Sequence, residues 1–514
     1  MNQLPALTIL VLLPLVGALV TAFLPRTASR LVGLVTAGAT LAWAVLAVLL
    51  PYQLDGGMQM TEEVSWIAPL GVHYALGVDG LGLLMVLLTT LLVPVVLVAS
   101  RPEAESPEGG GPRAFVAWAL ALEALSLAVF LATDVFLFYI VFEASLIPAY
   151  FLVGGFGREG RGRAAVKFLL YQLAGGLVLL GGVIGLYVVS ARQGNPTYLL
   201  SDLAAMDIDP AAQKWLFVSF FIAFAIKAPM FPVHTWLADT TEKAVPGVSV
   251  LLVCVLDKIG TFGMLRFCLG LFPEASQWAT PVVVVLALVS IVYGAMVAIG
   301  QDDLLRLVGL TSLSHFGFIV LGIFVFTSQG GVGAILYMVN HGIGTAALFL
   351  IVGYVVRRRG TASIRSMSGV EKLAPVLAGV FLVAGLATAG LPGLSPFVSE
   401  FLVILSAFDH AWWAGAVAVT GIVLAAIYIL WAYQRTMTGP THPEIVDFPD
   451  LSRREVGAVA PLLLALVLFG FWPAPLMDVI NPNVDETLSQ VGVVDEGPVV
   501  PATDAHGASQ EGDD

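Results

Sequence analysis

The amino-acid sequence predicts an all-α, polytopic membrane protein of about 14 transmembrane helices, and three observations carry that prediction. Hydrophobic residues make up 58% of the 514 residues and charged residues 11%, where an ordinary soluble chain carries about 25% charge. The mean hydropathy is +0.93, so most of the length must face lipid or other protein. Apolar runs long enough to cross a hydrocarbon core, about 20 residues each, recur along the chain. They fall at 3–24, 29–51, 78–99, 113–131, 133–154, 164–190, 212–237, 246–271, 279–299, 305–326, 331–355, 374–407, 411–434 and 456–474.

The first run has no Lys or Arg before it and no small-residue cleavage site after it, so it is a retained span rather than a signal peptide. The remaining basic residues orient the chain. With the N-terminus outside, the inner loops hold Arg26, Arg30, Arg101, Arg113, Arg158, Arg161, Arg163, Lys167, Lys243, Arg306, Arg357, Arg358, Arg359, Arg365, Lys372, Arg435, Arg453 and Arg454, which is 18 of the 23. The opposite loops hold Arg192 and Lys214, with Arg266 near that side. Residues 475–514 contain nine acidic residues and no Lys or Arg, and read as a solvated, flexible tail. This pattern implies a bacterial inner membrane with both termini on its outer face. The net charge of −13 excludes nucleic acid as a partner. Cys254 and Cys268 lie in one apolar run, which excludes a disulfide framework, a Cys-ligated zinc and an iron–sulfur cluster.

Two spans should be broken. Span seven carries Pro229 and Pro232 just after Lys227, and span twelve carries Pro392 and Pro396 just before Glu400. Proline removes a helix hydrogen bond and clashes with the preceding turn. The breaks stand five spans apart, so spans four to eight (113–271) and nine to thirteen (279–434) form two five-helix units. An odd number of spans per unit makes them an inverted repeat, with the functional site near the broken helices. An N-terminal three-helix segment (1–112) precedes them; a loop with the last span (435–474) follows, and then the tail.

Glu143, Lys227, Lys258, His315, His341 and Glu400 all fall inside spans. A charge at the bilayer centre costs about 2.5–3.5 kcal/mol by insertion scales, so these groups should face one another in a hydrated interior. Desolvation and an adjacent opposite charge shift acid–base equilibria in opposite senses. A Glu–Lys contact that opens and closes therefore suits proton transfer, and histidine suits a relay. The plainer readings are a static Glu143–Lys227 pair fixing helix packing and histidines that only bond neighbouring helices. Asp257 cannot share a helix face with Lys258, and Lys167 snorkels to a helix end. Gly155-Phe-Gly157-Arg-Glu-Gly160 matches a dinucleotide fingerprint, but it follows no strand and is a loop.

The runs Phe142-Glu143-Ala-Ser-Leu-Ile-Pro148, Lys227-Ala-Pro-Met-Phe-Pro-Val-His-Thr-Trp-Leu237, Lys258-Ile-Gly-Thr261, Ser312-Leu-Ser-His315-Phe-Gly317, Asn340-His341-Gly342 and Leu391-Pro-Gly-Leu-Ser-Pro-Phe-Val-Ser-Glu400 resemble the antiporter-like membrane subunits of respiratory complex I. The resemblance spans most of the chain. It implies fourteen core helices and a central hydrophilic axis. It makes Glu143 the coupling glutamate, Lys227 its partner and Lys258 the central proton-holding lysine. His315 and His341 become the relay and Glu400 the end of the path. It also implies no cofactor in this chain, with NADH, FMN, Fe–S clusters and quinone held by partner subunits. The implied partners are L-type and N-type neighbours and, through them, a peripheral arm. The L-type has a long lateral helix and the N-type a lysine where this chain has Glu400, so the chain is similar to neither in those features. Two departures stand out: Ala238-Asp-Thr-Thr-Glu-Lys-Ala244 replaces a Pro-Asp-Ala-His-type loop, and Asp257 sits where apolar residues are common. The competing readings are a subunit of a multi-subunit Na⁺/H⁺ antiporter and a scaffold whose charges only join helices.

Overall fold

The structure, a computed structural model, describes residues 5–101, 110–445 and 447–493. Twelve helices among the described residues are long and apolar enough to cross a membrane: Ala6–Phe23, Arg26–Leu49, Gly80–Ala99, Gly111–Leu131, Val135–Gly155, Arg161–Arg192, Pro246–Leu269, Pro273–Ile299, Leu304–Phe324, Ser328–Arg359, Trp412–Met437 and Arg453–Phe471. Two further crossings are interrupted, and each consists of two shorter helices. Span seven is Pro210–Lys227 then Thr235–Lys243, and span twelve is Pro375–Thr388 then Ser395–His410. Together they match the predicted spans one for one and in order.

At each break the freed backbone groups find partners, as backbone buried away from water must. In span seven the Met230 N–H reaches back to the Ala225 carbonyl (3.0 Å). The Phe231 N–H donates to Ser290 Oγ (3.0 Å), and Trp236 Nε1 donates to the Ile226 carbonyl (3.1 Å). In span twelve, Gly390 and Gly393 turn the chain at φ of 71° and 90°, a conformation that side chains resist. Asn340 Nδ2 then donates to the Ser395 carbonyl (2.8 Å).

The same neighbour pairs recur in the two units. Spans four and five pack together, as do nine and ten; six packs on seven as eleven packs on twelve, and four on eight as nine on thirteen. Spans eight, ten and eleven are enclosed by the rest, whereas spans one, two and fourteen are mostly exposed. One face gathers the basic loops. Arg158 pairs with Asp303 (2.6 Å), Arg306 with Asp239 (2.7 Å) and Glu242 (2.8 Å), and Arg358 with Glu455 (2.7 Å). Lys167, read as a snorkelling side chain, ends on Asp239 (2.6 Å). The unusual segment after the span-seven break is thus helical, and its carboxylates tie three loops together.

Three features depart from the sequence reading. Span five carries a one-residue irregularity at Ser145, two residues after Glu143, between Val135–Ala144 and Leu146–Gly155. Pro148 lacks the N–H that would bond the Ala144 carbonyl. Residues 59–78, between spans two and three, form an antiparallel hairpin of β1 (Gln59–Ile67) and β2 (Val72–Val78) that the sequence reading did not foresee. Part of the supposed flexible tail is a helix, Ala474–Val491. Ile480, Val484, Leu488 and Val491 bury one face while Asp485 and Glu486 stay exposed, so the acidic composition hid an amphipathic period. Residues 494–514 of that tail lie outside the described residues.

The hairpin, the start of span three, the end of span eight and the 474–491 helix meet at Asp79, opposite the basic face. Asp79 caps span three by accepting from the Gly82 N–H (2.8 Å) and holds Arg266 (2.6 Å) and Asn483 (2.7 Å). Burial alone would raise its carboxyl pKa, but Arg266 and these hydrogen bonds hold it below the usual carboxylate range. A depressed folded-state pKa stabilises above the unfolded value, and the stabilisation is lost only as pH falls through the depressed value. Asp79→Asn leaves the largely buried Arg266 unpaired and should cost about 3–5 kcal/mol. A lowered unfolding midpoint of the purified complex at neutral pH is the check.

Candidate functional site

Lys258 opens a short α-helical stretch, Lys258–Gly263, set between two wider, i→i+5 bonded turns at Leu251–Leu256 and Met264–Leu269. Such irregular turns recur at functional sites. Lys258 is fully buried. Its Nζ lies 2.6 Å from His341 Nδ1 and 4.3 Å above the Phe316 ring. A protonated Lys258 donates, so Nδ1 accepts and a neutral His341 carries its proton on Nε2. That nitrogen is buried without a partner among the described residues.

From His341 a row of side chains runs through spans ten, eleven and thirteen to span twelve. The His315 and His341 rings meet edge to face at 5.2 Å. His315 Nε2 lies 3.1 Å from the Tyr428 hydroxyl, and the Tyr337 ring lies 5.9 Å from His315. The Tyr337 hydroxyl donates to Glu400 Oε1 at 2.5 Å. Glu400 Oε2 lies against Gly390, where a β-carbon would stand 2.0 Å away. The glycine that turns the break also makes room for the carboxylate.

Glu143 and Lys227 form a second group. Lys227 is the last residue of its half-helix, where the helix dipole favours a cation. It is fully buried and its Nζ has no hydrogen-bond partner among the described residues. It sits 4.5 Å from the centre of the Phe142 ring, a cation–π contact, rather than on the Glu143 carboxylate. The two groups lie within electrostatic reach of one another, with no hydrogen bond to Lys227 Nζ among the described residues. Asp257 is also fully buried, and neither carboxylate oxygen has a partner among the described residues. It lies within electrostatic reach of both Lys227 and Lys258.

Of the six residues singled out from the sequence, Lys258, His341, His315 and Glu400 lie in one row. Glu143 and Lys227 stand apart from it, with the unpartnered Asp257 within electrostatic reach of both lysines. Tyr337 and Tyr428 were missed, because a tyrosine in an apolar helix carries no mark of which neighbour its hydroxyl reaches. Glu123, at 1% exposure in span four with both carboxylate oxygens unpartnered among the described residues, was missed although it stands alone in an apolar run as Glu143 does. The arrangement can pass protons between buried bases and hold charge transiently on lysine.

Residues 132–425 match the model of the NADH:quinone oxidoreductase/Mrp antiporter transmembrane family. The chain is 46% identical to NADH-quinone oxidoreductase subunit M of Mycobacterium tuberculosis, with 97% of each chain covered. The chain belongs to this family. Its structure superposes on a chain of respiratory complex I from Thermus thermophilus with a TM-score of 0.86 and 34% identity, covering 95% of this chain and 100% of that one. A chain of the Mrp complex from Dietzia sp. superposes with a TM-score of 0.84 at 24% identity, covering 96% and 100%, a likeness of fold alone.

Glu143 is seated against span six: a β-carbon on Gly176 would stand 1.8 Å from Glu143 Oε1. Gly176→Ala should therefore displace the carboxylate and lower coupled NADH oxidation about tenfold, equivalent to about 1.4 kcal/mol. Assembly on a native gel should be unchanged. Activity of membranes normalised to assembled complex checks it.

Proposed function

We propose that the chain is a proton-translocating membrane-arm subunit, of the M type, in a redox-driven NADH:quinone oxidoreductase. The observation that carries this is the Lys258–His341–His315–Tyr337–Glu400 row, enclosed in the bundle and crossing from the first repeat into the second. The repeats 113–271 and 279–434 are the functional halves. Glu143 is the coupling group and Lys227 the lysine whose hold on its proton it sets; Lys258 stores a proton, the histidines relay it and Glu400 ends the path. Moving one charge against 100 mV takes about 2.3 kcal/mol, a scale that opening or closing one Glu–Lys contact supplies.

NADH, FMN, the iron–sulfur clusters and quinone belong to partner subunits, and the redox energy reaches this chain from them. Glu143 is only partly buried, at the rim of the bundle, where a carboxylate facing bare lipid is costly. A neighbouring subunit, of the L or N type, covers it. The basic face is cytoplasmic by the distribution of Lys and Arg, which puts both termini on the outer face of a bacterial inner membrane.

Glu143→Ala should leave the complex assembled while NADH oxidation and proton uptake into vesicles collapse together. Failed assembly or unchanged pumping overturns the coupling role. Lys258→Arg separates a relay from a static charge, because a guanidinium keeps its proton. Proton uptake should be lost in the assembled variant, whereas a purely structural cation would be replaced without loss.

A further inference from the structure

Asp257 departs from the family pattern, in which apolar residues are common at this position, and the relay leaves it without a task. Its side chain is fully buried, and neither carboxylate oxygen has a hydrogen-bond partner among the described residues. A buried carboxylate with no donor is costly. Carboxylates at the inner face, such as Asp303 and Glu455, are closed by arginine. An apolar side chain would fill the place of Asp257 at no such cost, so packing does not explain the carboxyl.

The backbone of span eight sets where that carboxyl lies. The wider turns of Leu251–Leu256 end at Asp257, whose N–H bonds the Leu252 carbonyl (2.8 Å), and α-helical turns resume at Lys258. Three residues on, Gly260 packs directly on the break of span seven. A β-carbon there would stand 2.4 Å from the Ala228 nitrogen and 2.6 Å from the Phe224 carbonyl oxygen. Positions three apart share a helix face, so Asp257 lies on the side of span eight turned to span seven, where Lys227 ends its half-helix. Lys258, about 100° further round the helix, turns instead to His341 on span eleven. Asp257 thus has Lys227 across the helix interface and Lys258 beside it in the chain, both within electrostatic reach. Lys227 Nζ, equally buried, also has no hydrogen-bond partner among the described residues.

We propose that Asp257 is a proton carrier between Lys227 and Lys258, a further catalytic residue of the translocation reaction. The inference rests on the proton-relay reading above. Lys258 first gives its proton to His341. An N–H bond of Lys227 then breaks as an O–H bond forms on Asp257, and that O–H breaks as an N–H bond re-forms on Lys258. No direct hydrogen bond joins Asp257 to either lysine among the described residues, so each transfer needs a side-chain swing or an intervening water. Lys227, Asp257 and Lys258 together sum to zero charge before, during and after the transfer. With an apolar residue at 257, the two lysines would hold one unbalanced positive charge throughout.

The test uses the assembled complex in membrane vesicles, with Asp257→Asn, Asp257→Leu and Asp257→Glu as separate variants. Asparagine keeps the shape of the side chain and has no carboxyl to protonate. NADH-driven proton uptake per assembled complex should fall about tenfold in Asp257→Asn and Asp257→Leu, and Asp257→Glu should restore most of it. A static carboxylate could show the same loss, so the second readout is the infrared difference between NADH-reduced and oxidised complex. The wild-type difference should contain a protonated-carboxyl C=O band that is absent in Asp257→Asn and displaced in Asp257→Glu. Uptake at the wild-type rate in Asp257→Asn, a band unchanged by substitution, or failure of both Asp257→Asn and Asp257→Leu to assemble overturns the carrier. If Lys258→Arg is inactive while Asp257→Asn pumps as wild type, the carrier fails and the relay stands; if Lys258→Arg pumps normally, the relay itself fails.

Discussion

Everything in this molecule is arranged around the cost of leaving a polar group unpaired away from water. Two crossings give up helical hydrogen bonds at mid-membrane, and both breaks find partners: Ser290 of span nine and the crossing's own Trp236 at one, Asn340 of span eleven at the other. The spans that carry Lys258, His315 and His341 are the enclosed ones, so the bundle spends its apolar spans as insulation and keeps its ionisable groups inside. The fold and the site are the same solution to one constraint.

The ionisable groups divide by position. Those at the two faces are fixed by close partners: Arg158 by Asp303, Arg306 by Asp239 and Glu242, Arg358 by Glu455, and Asp79 by Arg266. Those in the interior have an aromatic ring or another base for a neighbour, as Lys227 has Phe142 and Lys258 has His341, or hold unpartnered oxygens, as Asp257 and Glu400 do. A closed ion pair fixes protonation and stabilises geometry; an open one leaves the proton free to move. Closely paired charge sits at the ends, and ionisable groups without an ion-pair partner sit in the middle.

The hairpin and the 474–491 helix belong to this economy too. They cover the outer ends of spans three and eight and anchor them through Asp79 and Asn483. Nearer Lys258 the surroundings are apolar and tight; at the surface the cover borders a cavity of roughly 300 Å³.

The number, order and limits of the spans were legible in the sequence because a hydrocarbon core demands a long uninterrupted apolar run. The two double-proline breaks and the six intramembrane residues were legible because each violates that demand. The irregularity after Glu143 was less visible, since one proline in a membrane helix is common. The 474–491 helix was hidden because its apolar face is four residues in an acidic background. Asp257 was noticed without a role, and Tyr337 and Tyr428 were not noticed. Which groups touch was beyond reach from sequence: Lys258 and His341 lie 83 positions apart and Tyr337 and Glu400 63. The sequence by itself determined that charges would be buried and where along the chain, because hydropathy is a property of local composition. Only the tertiary structure decided that Lys258 meets His341 while Lys227 stands off Glu143, because side-chain contact depends on how distant helices rotate and pack.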